Sequence, residues 1–233
     1  MKNKYQNIKV LIPLQLASAR VKMKNIRPFY KEMSLFDIKA RQLINADLNP
    51  SKIYISSEDR EGKVESLCQQ YGFNFLPRKQ ELTGNAIKQS ELIGFILKQI
   101  PSDNDDILWV QVTNPLFDKF TIMLDSWNKI QNLGFDSIVA TKTIRHHLIS
   151  ESGIPLNFNF GNWHKVSQDL PKIYEILWSA FLLKRSTIES NQYHIGTKPY
   201  YMPFDDITTI DIDTEADFEL ASKYYAILRG GGG

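Results

Sequence analysis

Lys9-Val10-Leu11-Ile12-Pro13-Leu14 is the stretch on which the fold turns. After its lysine the run is apolar, and it ends at Pro13 and a polar loop. A strand with one wet face would alternate apolar and polar residues, whereas a strand buried on both faces reads as a continuous apolar run. Working outward, similar runs occur at Lys52–Ser56, Asp106–Val112 and Asp136–Thr141. Helix-length segments separate them. Leu35–Leu48 is apolar at Leu35, Ile38, Leu43 and Ile44, Arg60–Tyr71 stops at Gly72, Ala86–Ile100 precedes Pro101, and Phe120–Ile130 forms a fourth. A helix over Thr214–Leu228 is expected to close the chain. Strands alternating with helices of about 10 to 15 residues argue for an α/β fold with a parallel sheet covered on both faces. Ligands bind such sheets beyond the carboxyl ends of the strands. Chemistry is therefore expected in the loops at Leu14, Ser56, Val112 and Thr141. The alternation fails between about Arg145 and Tyr201, a stretch rich in aromatic residues, Asn and Pro that reads as an inserted hairpin or lobe.

The 233 residues, 42% of them hydrophobic, suffice for a substantial core. A chain of this size buries roughly 70 to 75% of its unfolded surface. We read residues 1–229 as one domain with an inserted lobe at about 143–201, and the glycines of 230–233 as a linker or tag remnant. Twenty-eight Lys+Arg against 26 Asp+Glu leave a net charge of +2, which gives no field suited to coating nucleic acid or an anionic membrane. The best apolar run, Ile176–Leu183, falls well short of the 18 or so residues of a membrane span. The N-terminal basic and apolar residues are not expected to form a secretory signal, because Pro13 and Gln15 interrupt a stretch already too short. Cys68 is the single cysteine, so no intrachain disulfide can form, and a cytoplasmic location is expected.

Two segments carry charge in a pattern that suggests chemistry. Gln15-Leu16-Ala17-Ser18-Ala19-Arg20-Val21-Lys22-Met23-Lys24-Asn25 follows the first strand with three cations and a hydroxyl. Small residues and backbone N–H groups suit a phosphate cradle, and a solvated basic loop is the alternative. The segment contains no glycine, so it is neither a Walker loop nor a dinucleotide fingerprint. Near the other terminus stands Thr208-Thr209-Ile210-Asp211-Ile212-Asp213-Thr214-Glu215-Ala216-Asp217-Phe218. In an extended segment Asp211 and Asp213 share a face and repel each other unless a cation lies between them. Mg²⁺ prefers one or two carboxylates together with phosphate oxygens and water. The alternative makes Asp213 the N-cap of the following helix, with Glu215 and Asp217 near its positive end. For Asp213 both roles can hold.

Taken in order, five blocks resemble the CMP-acylneuraminate synthetases, with the CMP-Kdo synthetases as relatives. They are Ile12-Pro13 with Ser18-Ala19-Arg20-Val21 and Lys24-Asn25-Ile26, then Tyr54–Asp59, Gln111–Leu116, Ser167–Pro171 with Tyr174, and Ile210–Thr214 with Asp217-Phe218. The resemblance implies a Rossmann-like three-layer α/β/α nucleotidyltransferase fold with a mostly parallel central sheet and a small inserted dimerisation lobe. It implies a homodimeric enzyme that needs Mg²⁺ and converts CTP and an acidic sugar, such as a nonulosonic acid, into the CMP-sugar and pyrophosphate. By position, Leu14, Gln15, Ser18, Arg20, Lys24, Asn25 and Arg78 would bind the nucleotide. Gln111, Thr113 and Gln168 would face the sugar, and Asp211 and Asp213 would carry the metal. Arg20, Lys24, Asp211 and Asp213 would then be catalytic.

The chain also departs from the family pattern. Gln15 replaces an arginine, Ala17 and Ala19 a glycine and a lysine, and Asn85 an aspartate. Ser167 replaces the arginine before Gln168, and Leu177-Trp178 replaces an Asn-Gly pair linked to the sugar acid. An arginine exchanged for serine implies a different acceptor, such as Kdo or a phosphonate, or another cation nearby among Lys142, His146, His147 and Lys165. Gln15 and Asn85 admit a relative that binds nucleotide without catalysis, against which stand both Asp211 and Asp213. The histidines, His146, His147, His164 and His194, fit no usual zinc spacing. Trp109 and Trp127 read as core, whereas Trp163, Trp178 and the tyrosines near Tyr200 read as lobe packing or a dimer interface.

Overall fold

The computed structural model describes residues 4–17, 20–84, 87–102, 105–205 and 209–230. Along the chain the elements are β1 (Ile8–Pro13), β2 (Pro28–Tyr30), β3 (Met33–Ser34), α1 (Leu35–Asn45), β4 (Ile53–Ser57), α2 (Lys63–Tyr71), β5 (Asn74–Pro77), α3 (Gln89–Lys98), β6 (Asp106–Val110), α4 (Phe120–Asn132), β7 (Ser137–Ile144), β8 (Ile173–Lys184), α5 (Arg185–Asn191), β9 (Pro199–Pro203) and α6 (Glu215–Gly230). Seven strands make one sheet in the order β5-β4-β1-β6-β8-β7-β9, and β2 pairs with β3 in a separate hairpin. Strands β5, β4, β1 and β6 run parallel, β8 is antiparallel to both of its neighbours, and β9 is parallel to β7.

The unbroken apolar run of β1 reflects its place in the sheet. Val10 and Ile12 enter the hydrophobic cluster that holds Phe36 and Ile38 of α1, Met123 and Trp127 of α4, and Phe218 and Ala221 of α6. Leu11, between them, points the other way, into a cluster with Ile93 and Ile96 of α3 and Ile188 of α5. β6 divides in the same manner, Leu108 and Val110 to one side and Ile107 and Trp109 to the other. This is the period-2 alternation of a strand with helices over both faces. Helix α1 begins at a capping box in which the Ser34 hydroxyl accepts from Asp37 N and the Asp37 carboxylate accepts from Ser34 N.

The expected four strands and five helices are present, with helix starts shifted: α2 begins at Lys63 rather than Arg60, and α3 at Gln89 rather than Ala86, which lies outside the described residues. The expected insertion over 143–201 is corrected. The stretch between β7 and β8 leaves the sheet, as does α5 with the loop after it, but the apolar run Ile176–Leu183 lies inside β8, paired to β6 on one side and β7 on the other, and Pro199–Pro203 returns as the edge strand β9. The excursion exposes Ile149, Ile154, Leu156, Phe160, Trp163 and Val166. Trp109 and Trp127 are core residues, as expected. Among the described residues no helix is long and apolar enough to cross a membrane.

Candidate active site

The loop after β1 is tied down by groups the sequence did not single out. Leu14 continues the pairing of β1 by donating its N–H to Ser56 O at 2.8 Å. The next two free N–H groups, of Leu16 and Ala17, point at the Glu58 carboxylate, with Oε1 at 2.7 and 3.1 Å. Its other oxygen takes Arg78 Nη2 at 2.7 Å, and both side chains are buried. Burial alone would raise the Glu58 pKa, but these backbone donors and the guanidinium hold it below the usual carboxylate range. The expected cradle is therefore corrected at Leu16 and Ala17, whose N–H groups are already taken by an internal anion. Ser18 and Ala19 lie outside the described residues.

The cations of this loop reach across the molecule to the C-terminal segment. Arg20 Nη2 lies 2.8 Å from Asp213 Oδ1, Lys24 Nζ donates to Ile212 O, and Arg27 grips Glu215 with both terminal nitrogens while its guanidinium stacks 3.9 Å from the Phe218 ring. Asp211 and Asp213 are both exposed, and Ile212 between them is fully buried. The two carboxylates thus share a side as expected, although the segment joins no sheet and is held instead by Ile212 N donating to Thr113 O at 3.0 Å. The capping alternative for Asp213 is corrected as well: the Thr214 hydroxyl accepts from Asp217 N at 3.2 Å, and Asp217 Oδ2 accepts from Thr214 N at 2.8 Å. With Thr214 as the cap, Asp213 is left to Arg20. The Asp211 carboxyl is shifted up, first because its surroundings desolvate it and then by the charge of Asp213, against a hydrogen bond from Thr113. Lys24 is shifted down by burial, opposed by Asp211 and Asp213.

Two cavities open at the carboxyl ends of the strands. One, of about 520 Å³, is lined by Gln15, Arg20, Lys24, Asn25, Arg78, Gln111 and Thr113, all expected site residues. The other, of about 500 Å³, is lined by Asn114, Tyr174, Glu175, Leu177, Trp178 and Asp211 among others. Thr113 on the first wall is joined to the segment of Asp211 on the second, its carbonyl accepting from Ile212 N at 3.0 Å. Leu14 keeps its side chain in the core and offers only its carbonyl, 3.4 Å from Arg78 Nη2. Gln168 is not brought to either cavity: it is exposed on the turn Ser167–Asp169. His194 is buried with both ring nitrogens unpartnered and its ring parallel to Trp109, and His147 stacks on His164 with centroids 4.6 Å apart.

No family model matches the sequence, and neither does any curated protein. Solved structures do match. A CMP:2-keto-3-deoxy-manno-octonic acid synthetase complexed with CTP superposes with a TM-score of 0.63 at 10% sequence identity, over 95% of this chain and 99% of that one. A 4-diphosphocytidyl-2C-methyl-D-erythritol synthase from Anaerococcus prevotii gives 0.65 at 11% identity, over 95% and 97% of the two chains. The chain has the nucleotidyltransferase fold of these synthetases. HddC from Yersinia pseudotuberculosis matches the same fold, with a TM-score of 0.56 at 12% identity over 93% of this chain and 99% of that one.

Within that fold, the residues missed by the sequence reading are Glu58, Lys39, Asn114 and Glu175, while Trp178, expected in place of an Asn-Gly pair linked to the sugar acid, walls the second cavity. Lys39 of α1 is fully buried and donates to Asn114 O and Phe117 O at 3.0 and 2.8 Å, while Gln42 donates to Pro115 O at 2.7 Å. Together they fix the loop that carries Thr113 and Asn114, and burial brings the Lys39 pKa down to about 7. Trp178 arises from a change of register. Val139 pairs with Phe181, but Thr141 pairs with Ile176, so four residues of β8 bulge opposite Ala140 alone. Trp178 sits in this bulge at φ +50°, a left-handed conformation that costs a bulky residue about 1–2 kcal/mol. A strained backbone beside a cavity is a signal that appears only in three dimensions.

Proposed function

We propose that this protein is a Mg²⁺-dependent cytidylyltransferase that transfers CMP from CTP to a hydroxyl of an acidic sugar, such as a nonulosonic acid, and releases pyrophosphate. The observation that carries this reading is that Arg20 and Lys24, which line a cavity of about 520 Å³, reach the segment of the two carboxylates, Arg20 at Asp213 and Lys24 at the Ile212 carbonyl between Asp211 and Asp213. That size suits a nucleotide-scale ligand. Of the proteins that share the fold, one is a CMP:2-keto-3-deoxy-manno-octonic acid synthetase complexed with CTP and another a 4-diphosphocytidyl-2C-methyl-D-erythritol synthase.

The donor set fits the metal. Asp211 and Asp213 offer hard oxygen ligands on one side of the segment, and the Arg20 guanidinium already meets the demand of Asp213 for a positive partner. When bound there, Mg²⁺ would neutralise phosphate charge and acidify a coordinated hydroxyl. The chain's own residues do the rest. Arg20 and Lys24 hold the triphosphate and favour the charge that gathers on the leaving group, while Gln15, Asn25 and Gln111 give the cavity polar walls. The acceptor hydroxyl loses its proton to solvent as its oxygen attacks the α-phosphorus, the bond from that phosphorus to the bridging oxygen breaks, and pyrophosphate leaves with the electron pair. In-line transfer of this kind depends mainly on positioning and charge.

A homodimer belongs to the same reading, with a second copy covering the apolar side chains of the excursion, from Ile149 to Val166. So does a cytoplasmic location. A second reading, another acidic acceptor such as Kdo or a phosphonate, is favoured by one observation: no lysine or arginine is among the described residues that line the cavity of Trp178. Pyrophosphate release from CTP and Mg²⁺ across a panel of sugar acids and phosphonates tests both. Turnover is expected with at least one acid and is expected to vanish in Asp211→Ala with the fold intact. Full activity in that variant would remove the proposed metal site.

A further inference from the structure

On the reading that the 500 Å³ cavity beside Asp211 receives the acceptor, we infer that it selects an acceptor bearing a protonated amine as well as its acid group. Strand β6 pairs with β8 only as far as Val110, opposite Ala180, and Gln111 N then donates to Ser179 O. Below that point β8 pairs with β7 through Ile173–Ile176, and its residues 174–178 line the cavity. The wall they form is aromatic and acidic. Tyr174 and Trp178 supply rings, and the charged side chains of the lining are Glu175 and Asp211, both negative.

Three further features suit an ammonium group. Asn114 is 1% exposed, lines the cavity, and spends its amide N–H on the Ser179 hydroxyl at 2.8 Å, while its Oδ1 is buried without a hydrogen-bond partner. A buried acceptor oxygen left unmade is costly, and a ligand N–H is the group that satisfies it. Lys142 lies directly opposite Glu175 in the β7/β8 register, yet no ion pair joins them among the described residues. Lys142 is not among the described residues lining the cavity, so the Glu175 carboxylate faces it without a cation paired to it. Lastly, Trp178 holds its indole at the wall at the cost of a left-handed backbone, packed edge-on to Phe181 and His194 with centroids 5.7 Å away from each. An aromatic face next to a carboxylate is the standard means of holding a cation.

The probes are Kdo and its 5-amino-5-deoxy and 8-amino-8-deoxy counterparts, in which a hydroxyl becomes an ammonium with little change of size. Two readouts are taken on the full chain: pyrophosphate release with CTP and Mg²⁺, and calorimetric binding of each acid in the presence of CMP. At least one amino acid is expected to exceed Kdo about tenfold in kcat/KM and in affinity, and Glu175→Gln is expected to bring that ratio to within about twofold. Trp178→Gly, with the fold checked by circular dichroism because the ring also packs on Phe181 and His194, is expected to weaken binding of the preferred amino sugar acid about tenfold. Equal affinity of all three acids, or a preference that survives in Glu175→Gln, overturns the inference while turnover upholds the transferase reading. Absence of pyrophosphate release with every acid strikes the transferase reading instead, and the binding ratio still decides the subsite.

Discussion

The cavity at Arg20 and Lys24 and the cavity at Trp178 are neighbours where Thr113 O accepts from Ile212 N, and they are built differently. The first is walled by cations and amides, and its framework is cross-linked: Glu58 ties the loop after β1 to Arg78, and Arg20, Lys24 and Arg27 tie it to the segment before α6. The second is walled by rings and carboxylates on one bulged strand, and behind the Trp178 ring lies a histidine with no hydrogen-bond partner. The first is organised to hold many negative charges in one place. The second is organised for shape and for a donor-bearing ligand. On the proposed function the triphosphate and the acceptor would take separate walls, so changes in one should leave the other's selectivity readable.

That separation can be broken most forcefully at Lys24. Replacing it with Met removes the cation that touches both the cavity and the carbonyl between the two aspartates, and turnover is expected to fall about 100-fold, within the range seen for single electrostatic stabilisers, with the acceptor preference retained. A drop of less than threefold, measured by pyrophosphate release, would mean that the cationic wall does not act on the triphosphate. A smaller effect should appear on the other side, in stability. Burial takes the His194 pKa down to about 4 from 6.5. Between those two values the unfolded chain binds a proton that the folded chain refuses, so stability is full above pH 6.5 and declines by roughly 3 kcal/mol as pH falls to about 4. His194→Phe keeps the ring among Trp109, Trp178 and Phe181 and should flatten that decline in urea melts at pH 7, 5.5 and 4. An unchanged slope would place the acid sensitivity elsewhere.

The same contrast explains what the sequence disclosed. The continuous apolar runs of β1 and β6 gave the two-faced sheet, because burial on both faces leaves no room for polar alternation. The residues of the nucleotide cavity were legible because they follow β1 and β6 directly and their charges are clustered along the chain. β8 was not legible as a central strand. Its apolar run was visible, but its neighbours in the sheet are β6 and β7, and an antiparallel strand between them leaves no local mark. Trp178 was legible as a replacement for an Asn-Gly pair linked to the sugar acid and as a lobe or dimer-interface residue, but its bulge was not, because a bulge of this kind depends on the partner strand, not on its own residues. Glu58 escaped notice because a carboxylate that takes backbone N–H groups some 40 residues away looks, in one dimension, like any exposed acid.

The central claim is that the basic loop and the carboxylate pair form one site for a magnesium triphosphate. Calorimetric titration of CTP, with Mg²⁺ and with EDTA, into the wild-type chain and into Asp211→Asn tests it without any acceptor. The expected result is wild-type binding at least tenfold tighter with Mg²⁺ than with EDTA, a difference that Asp211→Asn abolishes while still binding CTP through Arg20 and Lys24. Equal Mg²⁺ dependence in the two proteins would contradict the claim.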